Sequence, residues 1–400
     1  MRTILVVAAL DTKGLEIAFC KKRIEELGAK ALLIDGGVLG EPTIPPDITR
    51  EEVAKAAGTT IENVRKIPAE AEALGLQTEG ASIIAQRLLK EGKIHGVLGV
   101  GGGMGTALGT GVMRSLPIGV PKFMVSSQAG NPAVVGPSVG TKDICMFHSV
   151  TDVVGINNLT RTVFTRACGG VVGMANATVT QDMDKKKIVA IMAKGTTEPT
   201  NRALRDRVAA AGFQPMTFHC FGYGPASQEQ VIADGFIDGG VIELASDWLD
   251  HIAGGDSFPP PDRYENAGKK GLPQVFIPGS CDFVAAAPGM FPGRKVAPHN
   301  RAVALFRSSR EELRQVGKDV GRKLSRADAP ATVVIPMRGF AVHDQEGGQL
   351  WDPEADMGFL EGISPYEGKI KIKQVNAHIF DPEFIDVVME SFLENVAICR

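Results

Sequence analysis

Short, uninterrupted apolar runs alternate along the chain with longer segments in which apolar residues recur every three or four positions. The runs lack the polar alternation of half-exposed strands, so they predict strands buried on both faces, at residues 3–9, 31–34, 96–100, 122–126 and 145–149. The longer segments predict helices, at residues 13–27, 50–73, 79–90, 106–113 and 157–177. Strands that alternate with helices in this way are typical of a parallel sheet covered by helices.

The same alternation restarts after the polar segment 181–187, which is the best candidate for a domain boundary. Strands are predicted at residues 188–193, 216–219, 240–244, 274–278, 332–336 and 369–374, and helices at residues 201–211, 309–324 and 383–396. A chain of 400 residues also exceeds what one hydrophobic core usually serves. We therefore predict an α/β fold with two Rossmann-like domains, residues 1–181 and 182–400, each a mostly parallel sheet flanked by helices.

Charge and cysteine content narrow the function classes. The net charge of −3 and the absence of a basic stripe argue against a nucleic-acid partner. No apolar stretch approaches the roughly 20 residues that span a bilayer, so no membrane association is expected. The 6 cysteines are far apart and form no Cys-x-x-Cys pair, which fits the reducing cytoplasm.

The candidate chemistry of the first half centres on a glycine-rich turn that follows the strand at 96–100. The turn consists of Gly101, Gly102, Gly103, Met104, Gly105 and Thr106. Glycines leave backbone amides uncovered, and the helix that follows adds unpaired N–H groups and partial positive charge, so the turn predicts a phosphate or nucleotide site. We expect the Thr106 hydroxyl to contact a phosphate or Mg²⁺. The turn matches neither Walker A nor Gly-x-Gly-x-x-Gly, and the alternative is a tight strand–helix crossing that needs glycines for packing alone.

Other strand ends of the same half are expected at the same edge of the sheet, where open α/β sheets bind ligands. The first strand is followed by Asp11, Thr12 and Lys13, and Lys13 would supply the countercharge that the turn lacks. The other candidates are Gly36 and Gly37 after the second strand, Ser126 and Ser127 after a later one, and Asp143 as a magnesium ligand. For Asp11 and Thr12 a plain helix N-cap remains an equal alternative.

The second half offers a weaker anion-site candidate at residues 194–197, where an ordinary capped helix start is the alternative. Polar residues also follow its later strands, and their role stays open: His299, Arg301, Arg338, His343, Asp344 and Glu346. Asp344, Glu346 and His343 are metal ligands by type, but their spacing fits no standard zinc site. A nucleophilic pair of Cys281 and His299 is a further alternative, against the more usual role of cysteine as a small buried residue.

Motifs in both halves together resemble the family of bacterial and fungal proteins similar to the N-terminal ATP-binding domain of the tomato mosaic virus resistance protein. The resemblance covers essentially the whole chain. The motifs that carry it are Asp11-Thr12-Lys13-Gly14, the turn 101–106, Asp143, Pro336-Met337-Arg338-Gly339 and the loop from Gly347-Gly348 to Asp352-Pro353-Glu354-Ala355-Asp356. It implies two Rossmann-like domains, ATP binding together with Mg²⁺, and a homodimer.

Three functional hypotheses follow. The first is an ATP-binding protein of unassigned reaction, with the phosphates on the turn 101–106 and a small-molecule substrate in a cleft between the domains. The second is a non-catalytic module in which the nucleotide controls a partner. The third is a metal-assisted hydrolase or lyase that uses the polar loops of the second half. The sequence does not decide whether the protein is an enzyme.

Overall fold

The computed structural model of the protein describes residues 1–179 and 186–399. Contacts within the chain divide it into two compact units, Met1–Gln181 and Asp182–Arg400, named here the first unit and the second unit. The polar segment predicted to hold the boundary includes residues 181–185, which lie outside the described residues. Within the described ranges, no helix is both long and apolar enough to cross a bilayer.

The strands of the first unit are β1 (Thr3–Ala8), β2 (Lys30–Asp35), β3 (Gly96–Gly101), β4 (Lys122–Ser126) and β5 (Cys145–His148). Those of the second unit are β6 (Ile188–Ala193), β7 (Gln214–His219), β8 (Gly240–Glu243), β9 (Gln274–Phe276), β10 (Phe283–Ala286), β11 (Val296–Pro298), β12 (Ala304–Arg307), β13 (Ala331–Pro336) and β14 (Lys371–Val375).

The helices of the first unit are α1 (Leu10–Glu26), α2 (Arg50–Ala56), α3 (Ile61–Arg65), α4 (Glu70–Lys90), α5 (Gly103–Arg114), α6 (Pro132–Val139) and α7 (Asn158–Asn176). Those of the second unit are α8 (Glu198–Ala210), α9 (Gly224–Ala233), α10 (Trp248–Ala253), α11 (Asn266–Lys269), α12 (Arg310–Leu324), α13 (Pro353–Ile363) and α14 (Pro382–Ile398).

The first unit is built around a parallel sheet of five described strands in the order β2-β1-β3-β4-β5. Alternate residues of β1 enter two different cores. Val6 packs with residues of α1 and α7, and Val7 packs with residues of α4 and α5 on the other face. Because both faces are covered, every position of the strand must be apolar, which explains the uninterrupted run.

The second unit has a parallel sheet of six described strands in the order β14-β13-β9-β8-β6-β7. Residues of α8 and α14 pack on one face of it, and residues of α12 and α13 pack on the other. A small antiparallel sheet in the order β10-β12-β11 is added between β9 and β13 in the sequence. The predicted α/β class, with two parallel sheets flanked by helices, is confirmed.

Several predicted element bounds are wrong. The helix expected over residues 50–73 is broken into α2 and α3, and α4 begins at Glu70 and continues through the gap expected before residue 79. Position 80, inside α4, requires glycine because a side chain there would meet the Val53 carbonyl oxygen at 2.0 Å. Close packing of α2 on α4, rather than helix termination, therefore explains this glycine. The antiparallel sheet was not predicted.

Candidate functional site

A pocket of about 470 Å³ lies at the carboxyl edge of the first sheet. It is lined after β1 by Ala9 and residues 11–13, after β2 by residues 36–39, and at the end of β3 and the start of α5 by residues 100–105. We name it the glycine-turn pocket. The strand order reverses between β1 and β3, and this is where open α/β sheets bind their ligands. The volume also lies within the range of roughly 300–1,000 Å³ that is usual for ligand pockets.

The glycine turn presents unpaired donors to this pocket. Gly102 is the N-cap in extended conformation, with φ −79°, and α5 begins at Gly103. The Thr106 N–H donates to the Gly102 carbonyl oxygen at 2.8 Å, but the described residues offer no acceptor to the N–H groups of Gly103, Met104 and Gly105. A helix N-terminus carries about half a positive charge, so these donors favour an anion.

The glycines of the turn differ in the space that surrounds them. A side chain at Gly101 would meet the Gly105 Cα at 2.6 Å, so the strand–helix crossing itself requires this glycine. A side chain at Gly102 would meet only the Ser127 Oγ, at 3.8 Å, and one at Gly103 would meet nothing within 4 Å. The packing interpretation therefore applies to Gly101, whereas Gly102 and Gly103 leave free space beside the unpaired N–H groups.

Asp35, a residue that sequence reasoning did not place in the site, fixes the segments after β1 and β2. It is fully buried, and its Oδ1 accepts from the Leu10 N–H at 3.0 Å and from the Gly37 N–H at 2.9 Å. Burial raises the pKa of this carboxyl. The signal in the sequence was Asp35-Gly36-Gly37 at a strand end, where an Asp commonly accepts from the backbone two residues later.

Asp11, Thr12 and Lys13 line the pocket as predicted. They lie in the first turn of α1, whose N-cap is Ala9, so the N-cap interpretation of Asp11 and Thr12 is wrong. The Asp11 Oδ2 accepts from the Gly40 N–H at 3.0 Å, while its Oδ1 is buried without a partner among the described residues.

Two cations lie at the pocket. The Lys13 Nζ donates to the Val153 carbonyl oxygen at 2.5 Å, so one of its three donors is already used. Arg65, which the sequence did not single out, also lines the pocket, and its Nε donates to the Val38 carbonyl oxygen at 2.8 Å. The Arg65 Nη2 also lies 3.4 Å from the Glu41 Oε1. Both residues therefore bring positive charge to the pocket lining, and that of Arg65 is partly offset by this carboxylate.

The remaining wall of the glycine-turn pocket is apolar. Apart from Glu70 at the start of α4, it comes from the loop after β2, from α3 and α4 and from the segment that joins them, and consists of Val38, Leu39, Val64, Ile67, Pro68, Ala73 and Leu74. Two large apolar residues of the lining are exposed, Leu39 at 75% and Met104 at 36%. The pocket thus combines a polar end at the glycine turn with an apolar end, which is the usual composition of a small-molecule site.

Thr106, Ser126 and Ser127 do not line the glycine-turn pocket. Thr106 is fully buried; its Oγ1 donates to the Gly102 carbonyl oxygen at 2.7 Å and lies 2.6 Å from the Ser126 Oγ. As the fourth residue of α5, Thr106 turns its hydroxyl back toward the preceding turn. The prediction that this hydroxyl contacts a phosphate or Mg²⁺ is therefore wrong, and it instead positions the turn.

Asp143 is not at the site. Its carboxylate pairs with Lys122 at 2.7 Å and accepts from the Gly119 N–H at 2.8 Å. Lys122 is the first residue of β4, so Asp143 lies at the amino edge of the sheet, opposite to the pocket. The prediction of Asp143 as a magnesium ligand beside the glycine turn is wrong, because a residue that precedes a parallel strand lies at the other end of it.

The altered role of Thr106 gives a first testable prediction. We expect Thr106→Val to lower the free energy of unfolding of the first unit by about 1–3 kcal/mol, because the buried Ser126 hydroxyl loses its Thr106 partner and keeps only the bond from the Gln128 N–H. Thr106→Ser, which keeps the hydroxyl, should retain most of the stability. Hydrogen exchange of peptides from the first unit measures both effects. Wild-type protection in Thr106→Val would contradict the positioning role.

The polar loops of the second unit do not converge on one centre. Asp344 is fully buried; its Oδ2 accepts from the Phe340 N–H, and its Oδ1 lies 3.7 Å from the Arg307 guanidinium. Arg338 and Glu346 line a separate depression, and Arg301 is exposed on the loop between β11 and β12. His343 is half-buried, and burial together with nearby His299 lowers its pKa. No group of three or more potential metal ligands occurs in the described ranges.

The predicted pair of Cys281 and His299 is also wrong. Cys281 is fully buried, and burial raises the pKa of its thiol to about 12. A nucleophilic cysteine needs the opposite shift and access to solvent. Its neighbour Asp282 is likewise fully buried, and burial with the nearby Asp344 charge raises the pKa of that carboxyl to about 8.

A parallel sheet in the order β2-β1-β3-β4-β5 defines a doubly wound α/β protein, with a pocket and unpaired helix N–H groups at the point where the strand order reverses. The chain belongs to the uncharacterised protein family UPF0261. The model of the family's N-terminal domain matches residues 2–181, and the model of its C-terminal domain matches residues 186–396.

Relatives occur in bacteria and in a plant. The UPF0261 protein of Clostridium tetani is 33% identical over 390 residues, which is 96% of each chain. The UPF0261 protein of Brucella suis is 33% identical and covers 97% of this chain and 94% of its own. The ToMV resistance protein Tm-1 of Solanum lycopersicum is 30% identical over 76% of this chain and 42% of its own. The predicted family resemblance is confirmed.

Solved structures with a similar arrangement are distant. MurG of Acinetobacter baumannii is 13% identical with a TM-score of 0.24, over 100% of this chain and 95% of its own. The UDP-GlcNAc 2-epimerase of Methanocaldococcus jannaschii is 11% identical with a TM-score of 0.23, over 69% of this chain and 83% of its own. Scores this low carry no functional argument.

Proposed function

We propose that the protein binds ATP in the glycine-turn pocket, with the phosphates on the main-chain N–H groups of Gly103, Met104 and Gly105. The observation that carries the proposal is that these three donors lack protein acceptors and open on a pocket of about 470 Å³. The pocket also lies at the reversal of the strand order. The choice of ATP among nucleotides comes from the resemblance of the sequence motifs.

The other features of the pocket suit the remaining parts of the ligand. The apolar wall formed by α3, α4 and the loop after β2 offers a surface for the base, and Lys13 and Arg65 place cations near the phosphates. The Asp11 Oδ1 is buried without a partner and would hold Mg²⁺. One carboxylate is enough for this role, because Mg²⁺ keeps several waters and takes phosphate oxygens as further ligands.

Titration calorimetry of the full chain with ATP, with and without Mg²⁺, tests the proposal. We expect one site per chain and weaker binding of AMP, which lacks the outer phosphates. Hydrogen exchange of peptides that cover residues 96–114 should slow on addition of ATP. If a folded sample gave neither heat nor protection, the proposal would be wrong.

Product analysis of the same samples decides between an enzyme of unassigned reaction and a non-catalytic nucleotide-dependent module. An enzyme supplied with its small-molecule substrate would turn over ATP or modify that substrate, whereas a module would leave both unchanged. The motif resemblance that suggests ATP also suggests a homodimer, so light scattering with and without ATP should accompany the titration. A dimer that forms only with ATP would favour the module.

A further inference from the structure

A second cavity, of about 230 Å³, lies in the second unit at the carboxyl end of β6. We name it the Lys194 pocket. Lys194, Gly195 and Thr196 line it after β6, His219 lines it at the end of β7, and residues of the antiparallel sheet cover it. The order of the second sheet reverses between β6 and β8. The cavity lies next to this point, at the carboxyl ends of β6 and β7, and the carboxyl edge is where open α/β sheets bind ligands.

The polar lining of this cavity consists largely of hydrogen-bond donors. Lys194 is 7% exposed, and among the described residues its Nζ makes one hydrogen bond, at 3.4 Å to the Asp250 Oδ2. An ammonium has three donors, so two are unused. The described residues offer no acceptor to the N–H groups of Gly195 and Thr196. The other polar side chains of the lining are those of His219, His299 and Asn300.

The Lys194 ammonium is held in place at the cavity edge. Asp250, its ion-pair partner, is 1% exposed, and its other carboxylate oxygen accepts from the Ala285 N–H at 3.0 Å. The Nζ also lies 5.2 Å from the centre of the Phe283 ring, which is a cation–π distance. The ammonium is therefore oriented before any ligand arrives, which lowers the entropic cost of binding.

The remaining lining is apolar and leaves little room. Phe283, Ala285 and Leu305 are at most 4% exposed and form the wall opposite the donors. At about 230 Å³ the cavity is half the size of the glycine-turn pocket, at about 470 Å³. Its occupant is thus smaller than a nucleotide, with a headgroup that only accepts hydrogen bonds and a short apolar body. Carboxylates and phosphates are acceptor-only groups of this kind.

We propose that the Lys194 pocket is a binding site for a small carboxylate or phosphate with a short apolar body, separate from the nucleotide pocket of the first unit. The headgroup accepts hydrogen bonds from the Lys194 ammonium and from the N–H groups of Gly195 and Thr196. The apolar body lies against Phe283 and Leu305.

Ligand-observed saturation-transfer NMR on the full chain tests this proposal, with butanoate and propyl phosphate as probes. Butanamide is the matched control, because it has the size of butanoate but carries two donors where the carboxylate has an acceptor. We expect signals from one or both anions and none from the amide. The anion with the stronger signal identifies the headgroup. Equal signals from butanoate and butanamide, or no signal from either anion, would overturn the proposal.

Two variants locate the binding. Lys194→Met should weaken anion binding about 10–100-fold, the effect of one hydrogen bond to a charged group. Lys194→Met also leaves Asp250 without its ion-pair partner and can destabilise the unit, so a second variant, Gly195→Val, is needed. A side chain at Gly195 meets nothing within 4 Å, so the fold should persist while the valine covers the N–H groups. Wild-type binding by folded Gly195→Val would contradict the proposed position.

Two controls separate this site from other effects. Lys269→Met removes an exposed ammonium that pairs with Glu265 on the surface, so anion binding should be unchanged. Gly102→Val alters only the glycine-turn pocket, and it should also leave anion binding intact. Failure of the nucleotide proposal would therefore not affect the result for the Lys194 pocket.

Discussion

Replacing Gly102 by valine should abolish ATP binding while the protein stays folded. Only the Ser127 Oγ, at 3.8 Å, lies near the position of the new side chain, and the backbone φ of −79° suits an L-residue. The valine would instead occupy the space in front of the three unpaired N–H groups. Each lost hydrogen bond to a charged phosphate costs about 1.5–3 kcal/mol, so loss of two weakens binding by at least about 100-fold. Titration calorimetry measures this loss.

Gly173→Val is the matched control for Gly102→Val. Gly173 lies inside α7, and a side chain there also meets nothing within 4 Å. Its substitution makes the same chemical change away from the pocket, and ATP affinity should stay at the wild-type value. If Gly102→Val bound ATP as tightly as this control does, the phosphates would not lie on the glycine turn.

Both units place main-chain donors at the carboxyl edge of their parallel sheet, but with different surroundings. In the first unit the donors follow β3 and glycines keep the space before them open. In the second unit they follow β6, and a buried ion pair and a cover of antiparallel strands reduce the cavity to about 230 Å³. The ligands proposed for the two units differ in size for this reason.

The parts of the fold and site that could be predicted from the sequence depend on local patterns. β1, β3 and β6 are uninterrupted apolar runs because both faces of their sheets are covered. The glycine turn was recognisable because three glycines follow one of these runs and precede a helix. Residues that directly follow a strand, such as Asp11 and Gly37, necessarily lie at its carboxyl edge, so their place in the pocket could be inferred.

The rest depends on tertiary packing or on small shifts of element bounds. The start of α5 was predicted at Thr106, three residues after its observed start at Gly103. Because of this error, Thr106 was expected at the open end of the helix, whereas its hydroxyl is buried inside the first turns. Asp143 precedes β5, so attention to strand direction would have excluded it. The antiparallel sheet was not predicted, because β11 is three residues long and contains Pro298, so it lacks the pattern of a strand. Arg65 and the apolar wall approach the pocket only through the packing of α3 and α4.

The second large effect is expected from Arg263, whose guanidinium is fully buried among three acidic residues. It pairs with Glu243 at 2.5 Å and with Glu229 and Asp247 at 3.3 Å each. These carboxylates are at most 3% exposed. Arg263→Met keeps the apolar stem but removes the cation they share. Since unpaired buried charges are costly, we expect the free energy of unfolding of the second unit to fall by about 3–5 kcal/mol. The 2 tryptophans, Trp248 and Trp351, both belong to this unit, so fluorescence during urea unfolding reports it selectively.

The destabilisation by Arg263→Met should also grow with pH. Burial already raises the pKa of Glu229 to about 7 in the presence of the guanidinium, whose charge opposes this shift, so removing the cation raises the pKa of Glu229 further. Between about pH 5 and pH 8 the folded variant then holds protons that the unfolded chain has released, so its stability falls as the pH rises. Arg207→Met, which breaks a surface pair with Asp386, should cost at most about 1 kcal/mol at either pH. A loss in Arg263→Met no larger than in this control would show that the buried cluster does not depend on its cation.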